Sequence, residues 1–201
     1  MLPTQILKDE HRIIESVLDC LEKMADGIDA GKSLDETSAR DAIDFIRNFA
    51  DKCHHAKEED KLFPAMEAVG IPSQGGPIGV MLYEHDLGRG YVKNMDRLIP
   101  DAVNGDKNAL KEFTDNARAF IGLLREHIQK EDFILYPLAD QSFSPEDQEK
   151  LMASFEDVEN HEIGHGVHEK YLGIADRLCR IYGVERRKES EIPQTGCSFC
   201  H

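Results

Sequence analysis

Apolar residues recur along this chain in steps of three and four, the spacing that lines one face of an α-helix. The longest stripe is Leu110, Phe113, Ala117, Phe120, Leu124, His127, Glu131, Ile134 and Leu138. Three more run through Leu7, His11, Ile14, Leu18 and Leu21; through Ile43, Ile46, Ala50, His54, Glu58 and Leu62; and through Ile78, Leu82, His85, Val92 and Ile99. Turn and cap residues set the expected ends. A first helix runs from about Thr4 to near Gly27. A second follows Ser33, where Ser33-x-x-Glu36 has the form of a capping box, and stops at Phe63 before Pro64. A third opens at Pro77 and ends near Ile99-Pro100, and a fourth follows Asp106 and ends at Tyr136-Pro137. A fifth spans Ser144-Pro145 to Gly183, and no strand pattern of useful length occurs. Short connections make neighbours antiparallel. The expected class is all-α: an up-down antiparallel four-helix bundle over 1–140, a fifth helix packed on it over 144–183, and a polar tail over 184–201.

Each of the four stripes carries an ionisable residue where an apolar one belongs, and these fall in a repeat. His54-His55-Ala56-Lys57-Glu58-Glu59 precedes Leu62-Phe63-Pro64, and His127-Ile128-Gln129-Lys130-Glu131-Asp132 precedes Leu135-Tyr136-Pro137. Upstream of each copy stands a single histidine after an acid, Glu10-His11 and Glu84-His85. Residues four apart share a helix face, so His54 with Glu58 and His127 with Glu131 each present an imidazole and a carboxylate together. Four imidazoles and two carboxylates turned into an apolar core are costly without a cation. This donor set suits iron, manganese or zinc better than calcium or magnesium, which prefer oxygen. His55 and Glu59 form a competing pair at the same spacing, about 100° round an α-helix from the stripe.

Composition narrows the partners. The 201 residues include 24 basic and 39 acidic ones, a net charge of −15. Such a balance argues against nucleic acid or an anionic membrane as partner. No apolar run approaches the roughly 20 residues of a membrane span, and the start lacks a signal-peptide pattern, so a cytoplasmic location is expected. The five cysteines, at 20, 53, 179, 197 and 200, do not read as a disulfide framework.

His11, His54-x-x-x-Glu58, His85 and His127-x-x-x-Glu131, with Leu62-Phe63-Pro64 after the first copy, resemble the hemerythrin-like, HHE cation-binding family over roughly residues 5 to 140. The resemblance implies a four-helix bundle around two non-haem iron ions, oxo- or hydroxo-bridged. His11, His54, His85 and His127 would be terminal ligands and Glu58 and Glu131 bridges, with one iron on the first two helices and one on the next two. It implies a small diatomic or peroxide ligand in redox or iron-related sensing or protection, or else a metal-dependent regulatory module without turnover. Oxygen-carrying members have a second histidine one turn after the third-helix histidine. Arg89 stands there in this chain.

Two features lie outside the repeat. His161, His165 and His168 share a stripe on the fifth predicted helix. They read either as a fifth imidazole replacing the one absent at Arg89, or as a half-buried packed face. Cys197-Ser198-Phe199-Cys200-His201 has the form of a c-type haem attachment site, a metal or redox site, or an unstructured tail.

Overall fold

The computed structural model describes residues 2–158 and 166–187, which form six helices and no strand. Helix α1 is Pro3–Asp29. Residues 36–68 form one continuous helix, α2: Glu36–Phe45 is α-helical, Ile46–His55 and Glu58–Leu62 are π-helical, and Phe63–Ala68 is α-helical again. Helix α3 is Pro77–Val103. Residues 107–142 form α4, in which a π-helical turn, Glu131–Leu135, joins Lys107–Lys130 to Tyr136–Ser142. Helices α5 and α6 are Pro145–Asp157 and Val167–Tyr182. None of the described helices is long and apolar enough to cross a membrane.

The cap of α2 is Asp35, whose carboxylate accepts from the Ser38 amide at 2.8 Å, so the expected box at Ser33 lies two residues early. Asp106 caps α4 through the Ala109 amide at 2.8 Å, as expected. Pro64 and Pro137 do not stop their helices. Proline removes one amide and crowds the carbonyl four residues back. In both places a π-helical turn immediately precedes the proline, and its wider i→i+5 pattern makes room for the ring.

The fifth helix expected over 144–183 is two helices among the described residues. Gly166 precedes α6 with φ +81°, a conformation that ends a right-handed helix and suits glycine. Helix α6 lies against α1 and α2. Cys179 Sγ sits 3.8 Å from Cys20 Sγ, both buried, and Arg177 pairs with Asp41 at 2.6 Å. His161, His165 and the Cys197–His201 motif lie outside the described residues.

Two apolar layers make the core. The larger packs Leu18, Phe45, Phe49, Met95, Phe113 and Phe120; the smaller packs Leu7, Leu62, Met66, Ile78, Leu135 and Tyr136. On each of α1 to α4 a short polar stretch separates the two, around His11, His54–Glu58, His85 and His127–Asp132. The four stretches lie at one level, as their cross-helix contacts require.

Candidate metal centre

The structure brings five imidazoles and two carboxylates into one buried layer. Ligating atoms of His11, His54 and Glu131 lie within 4.8 Å of one another, as do those of His55, Glu58, His85 and His127. All six residues expected from the sequence are in these groups, joined by His55. The four expected histidines fall one pair to each group, but His55 of α2 joins the α3–α4 group and the carboxylates cross over: Glu131 of α4 groups with α1 and α2, and Glu58 of α2 groups with α3 and α4.

Each carboxylate stands between the two groups. Glu131 Oε2 is 3.2 Å from His11 Nε2 and its Oε1 is 3.1 Å from His127 Nε2. Glu58 Oε2 is 3.8 Å from His54 Nε2 and 3.5 Å from His85 Nε2. The other Glu58 oxygen accepts from the Tyr136 hydroxyl at 2.6 Å, and that hydroxyl lies 3.4 Å from His11 Nε2.

His55 owes its place to the π-helix. In an α-helix, successive residues differ by about 100°, which would turn His55 away from His54. A π-helix has more residues per turn, so neighbours diverge less. Ile46–His55 is π-helical, and His54 and His55 are both buried. The His55 ring stacks on His85 with centroids 3.8 Å apart and planes 15° from parallel. Glu59 has a different task from the ligand role its spacing allowed: it accepts from His85 Nδ1 at 2.6 Å.

That contact is one of five alike. His11 Nδ1 faces Asp132 at 2.8 Å, His54 Nδ1 faces Glu10 at 2.9 Å, and His127 Nδ1 faces Glu84 at 2.9 Å. His55 Nδ1 faces Asp51 at 3.4 Å. Each acid is in turn held by a cation: Asp132 by Arg12, Glu10 by Lys57, Glu84 by Lys130, and Asp51 and Glu59 together by Arg89. A carboxylate only accepts, so each imidazole carries its proton on Nδ1 and turns the Nε2 lone pair inward. Carboxylate–histidine pairs of this kind orient metal ligands and raise their basicity.

The repeat therefore has an internal two-fold logic. The acid before each lone histidine serves the His-x-x-Lys of the next helix: Glu10 with His54 and Lys57, Glu84 with His127 and Lys130. The acid ending each copy serves the lone histidine of the other half: Asp132 with His11, Glu59 with His85. Glu10, Glu84, Asp132, Lys57 and Lys130 were legible as repeated letters, but their pairing was not.

The residues present fit a cation. Glu58 Oε2 and both Glu131 oxygens are buried without a hydrogen-bond partner. His85 Nε2 and His127 Nε2 face each other at 3.0 Å with both Nδ1 atoms already committed. Without a cation, two lone pairs at that distance would oppose one another unless one ring takes up a second proton. The electrostatics of the layer carry the same conflict. Burial, reinforced by His55, pushes His85 down to about 3, and burial pushes His55 down to about 4. Burial also works against a charged His127, yet Glu131 and Glu84 hold it up at about 9. Burial and the nearby Glu131 raise the Glu58 carboxyl well above the usual range. The upward shifts of His127 and Glu58 thus mark where a metal would supply positive charge.

His168, the described member of the α6 histidines, joins neither group. It lies near Glu10 and Cys53 and beside the Phe49 ring, centroids 5.3 Å apart. Arg89, where a carrier would have histidine, bridges Asp51 and Glu59 instead.

A helical protein with a buried histidine–carboxylate layer of this kind is a cation-binding protein by chemistry. The model of the hemerythrin HHE cation binding domain matches residues 2–139, and the chain belongs to that family. It is also similar to uncharacterized proteins of Mycobacterium bovis and of two strains of Mycobacterium tuberculosis. Each is 22% identical over 175 residues, which cover 87% of this chain and 67% of the relative. No solved structure matches the chain significantly.

Proposed function

We propose that α1 to α4 form an up-down antiparallel four-helix bundle that holds two non-haem iron ions and reacts with dioxygen, peroxide or nitric oxide. His11 and His54 would hold one ion and His55, His85 and His127 the other, with Glu58 and Glu131 available to both. The observation that carries this reading is the common orientation of five imidazoles, each tied at Nδ1 to an acid and aimed inward at Nε2. Five nitrogens and two carboxylates make the halves unequal, with two imidazoles in one group and three in the other.

When bound, an iron pair supplies reversible electron transfer to such a ligand. The chain's own part is to fix geometry and manage protons. The five acids hold the rings in one tautomer, and the apolar layers above and below exclude water. The Tyr136 hydroxyl donates to Glu58 and lies 3.4 Å from His11 Nε2, so it holds a proton at the edge of the two-imidazole group.

Anaerobic loading followed by elemental analysis tests the reading, with about two irons per chain expected. A value near one, or zinc retained against excess iron, overturns it. Peroxide turnover by the loaded protein identifies an enzyme. Metal-dependent stability without turnover identifies a sensor.

A further inference from the structure

A cavity of about 340 Å³ lies between α2, α3 and α4. Ile46, Ala50, Gly88, Val92, Phe120 and Leu124 form its wall, and His55 and His85 close its inner end. Arg47, Arg89 and Lys93 lie at its mouth with Asp51 and Glu84. The volume is about ten times the ~30 Å³ share of one water molecule. It falls at the lower end of cavities that hold organic ligands, roughly 300–1000 Å³. A diatomic molecule does not need this space.

Charge at the mouth is asymmetric. Asp51 is committed to Arg89 and His55, and Glu84 to Lys130 and His127. Arg47 is partly engaged by Asp96 at 2.8 Å, and Arg89 is engaged by Asp51 and Glu59. Lys93 is exposed and forms no ion pair among the described residues. In a chain of net charge −15, an apolar cavity with an uncommitted cation at its opening is selective. Anionic macromolecules are repelled at long range, while a small monoanion with an apolar tail gains from both ends of the site.

Gly88 makes the space. It lies on α3 one turn after His85, and a Cβ there would meet Phe120 at 3.5 Å, an ordinary contact. Any larger side chain at 88 would enter the cavity. Glycine costs an interior helix about 1 kcal/mol relative to alanine, and here that cost leaves room beside the His55–His85 stack.

We propose that this cavity is a binding site for a medium-chain carboxylate, a single anionic head on a saturated tail, with the head at Lys93 and the tail against Val92, Phe120 and the His55–His85 rings. The site needs no metal, so it stands or falls separately from the iron reading.

Calorimetric titration of sodium decanoate into the full chain tests it, on metal-loaded and metal-stripped protein, with iron content measured in each sample. Saturable binding with about one site per chain is expected in both forms. Decanol should bind about threefold more weakly, the worth of one partly exposed ion pair. Lys93→Glu should remove that preference for the acid. Gly88→Leu should weaken both ligands at least tenfold, and Val92→Phe, which fills the same space from another position, gives a second reading should Gly88→Leu fail to fold. Absence of saturable decanoate binding overturns the proposal, as does binding unchanged in the variants. Flotation with phosphatidylglycerol vesicles separates the free acid from an acyl chain offered by a membrane: no flotation is expected, and flotation lost in Lys93→Glu would overturn the choice of a free acid.

Discussion

His55 stacks on His85 from the neighbouring helix, centroids 3.8 Å apart, although its sequence neighbour His54 faces the other half of the layer. Two adjacent residues thus serve two different sites. The π-helical path of Ile46–His55 makes this possible, and π-turns of this kind cluster at functional sites.

The first prediction follows from that arrangement. Replacing His55 with Gln should lower affinity for one of the two ions at least tenfold, about 1.4 kcal/mol, with stoichiometry falling from two toward one under chelator competition. The Arg89→His change should not restore it, because Arg89 Nε and Nη2 lie against Asp51 and Glu59 rather than in the inner layer. Full metal content in His55→Gln would return the residue to a packing role.

A second concerns the bridging carboxylates. Burial and Glu131 push the Glu58 carboxyl well above its ordinary range in the metal-free protein, so Glu58→Gln should remove little there. Melting of the metal-free variant should stay within a few degrees of the parent, while metal content drops. Glu131 behaves differently: His127 and His11 hold its carboxyl well below the usual range against the effect of burial, so Glu131→Gln should destabilise even the metal-free chain. Equal melting of the two variants would contradict the asymmetry.

The outer acids give a third. Glu10→Gln keeps the shape but breaks the charge held between His54 and Lys57. Changes to such orienting partners cost about 10- to 100-fold in metal affinity, and Glu84→Gln should cost a similar amount. A circular dichroism spectrum checks that both variants remain helical. Affinity unchanged in both would show that the ring orientations are set by packing alone.

Proton release gives a fourth. His127, at about 9, carries its second proton at pH 7 in the metal-free chain, and burial with Glu131 raises the Glu58 carboxyl well above its ordinary value. A metal binds the deprotonated forms, so loading at pH 7 expels protons. Affinity should therefore rise with pH up to about 9 and fall steadily toward acid. Calorimetry in buffers of different ionisation enthalpy measures the protons released. Loading that is independent of pH between 6 and 8 would rule this out.

Much of the centre could be read in the chain. The stripes placed His11, His54, Glu58, His85, His127 and Glu131 on inward faces because three-and-four periodicity reports burial directly. Repetition of the Glu-His and His-x-x-Lys-Glu letters showed that two halves exist. Helix starts at Asp106 and Ser144 were legible because a capping side chain acts within three residues. Failures arose where distant residues decide. The two prolines marked stops that the preceding π-turns remove. Periodicity extended into a single fifth helix what is two among the described residues, Pro145–Asp157 and Val167–Tyr182, the latter preceded by Gly166 at positive φ.

What the sequence determined by itself is the inventory: which faces are apolar, which polar residues lie on them, and that the pattern occurs twice. Those are local properties, set by spacing along one helix. The tertiary structure alone decided the partnerships. Asp132 reaches His11 across 121 positions and Glu59 reaches His85 across 26, and no one-dimensional period encodes such pairs. It also decided His55, since the turn of a helix at that point depends on what packs against it. Seven buried polar groups must share one small layer, and the backbone there takes the wider turn that lets them meet.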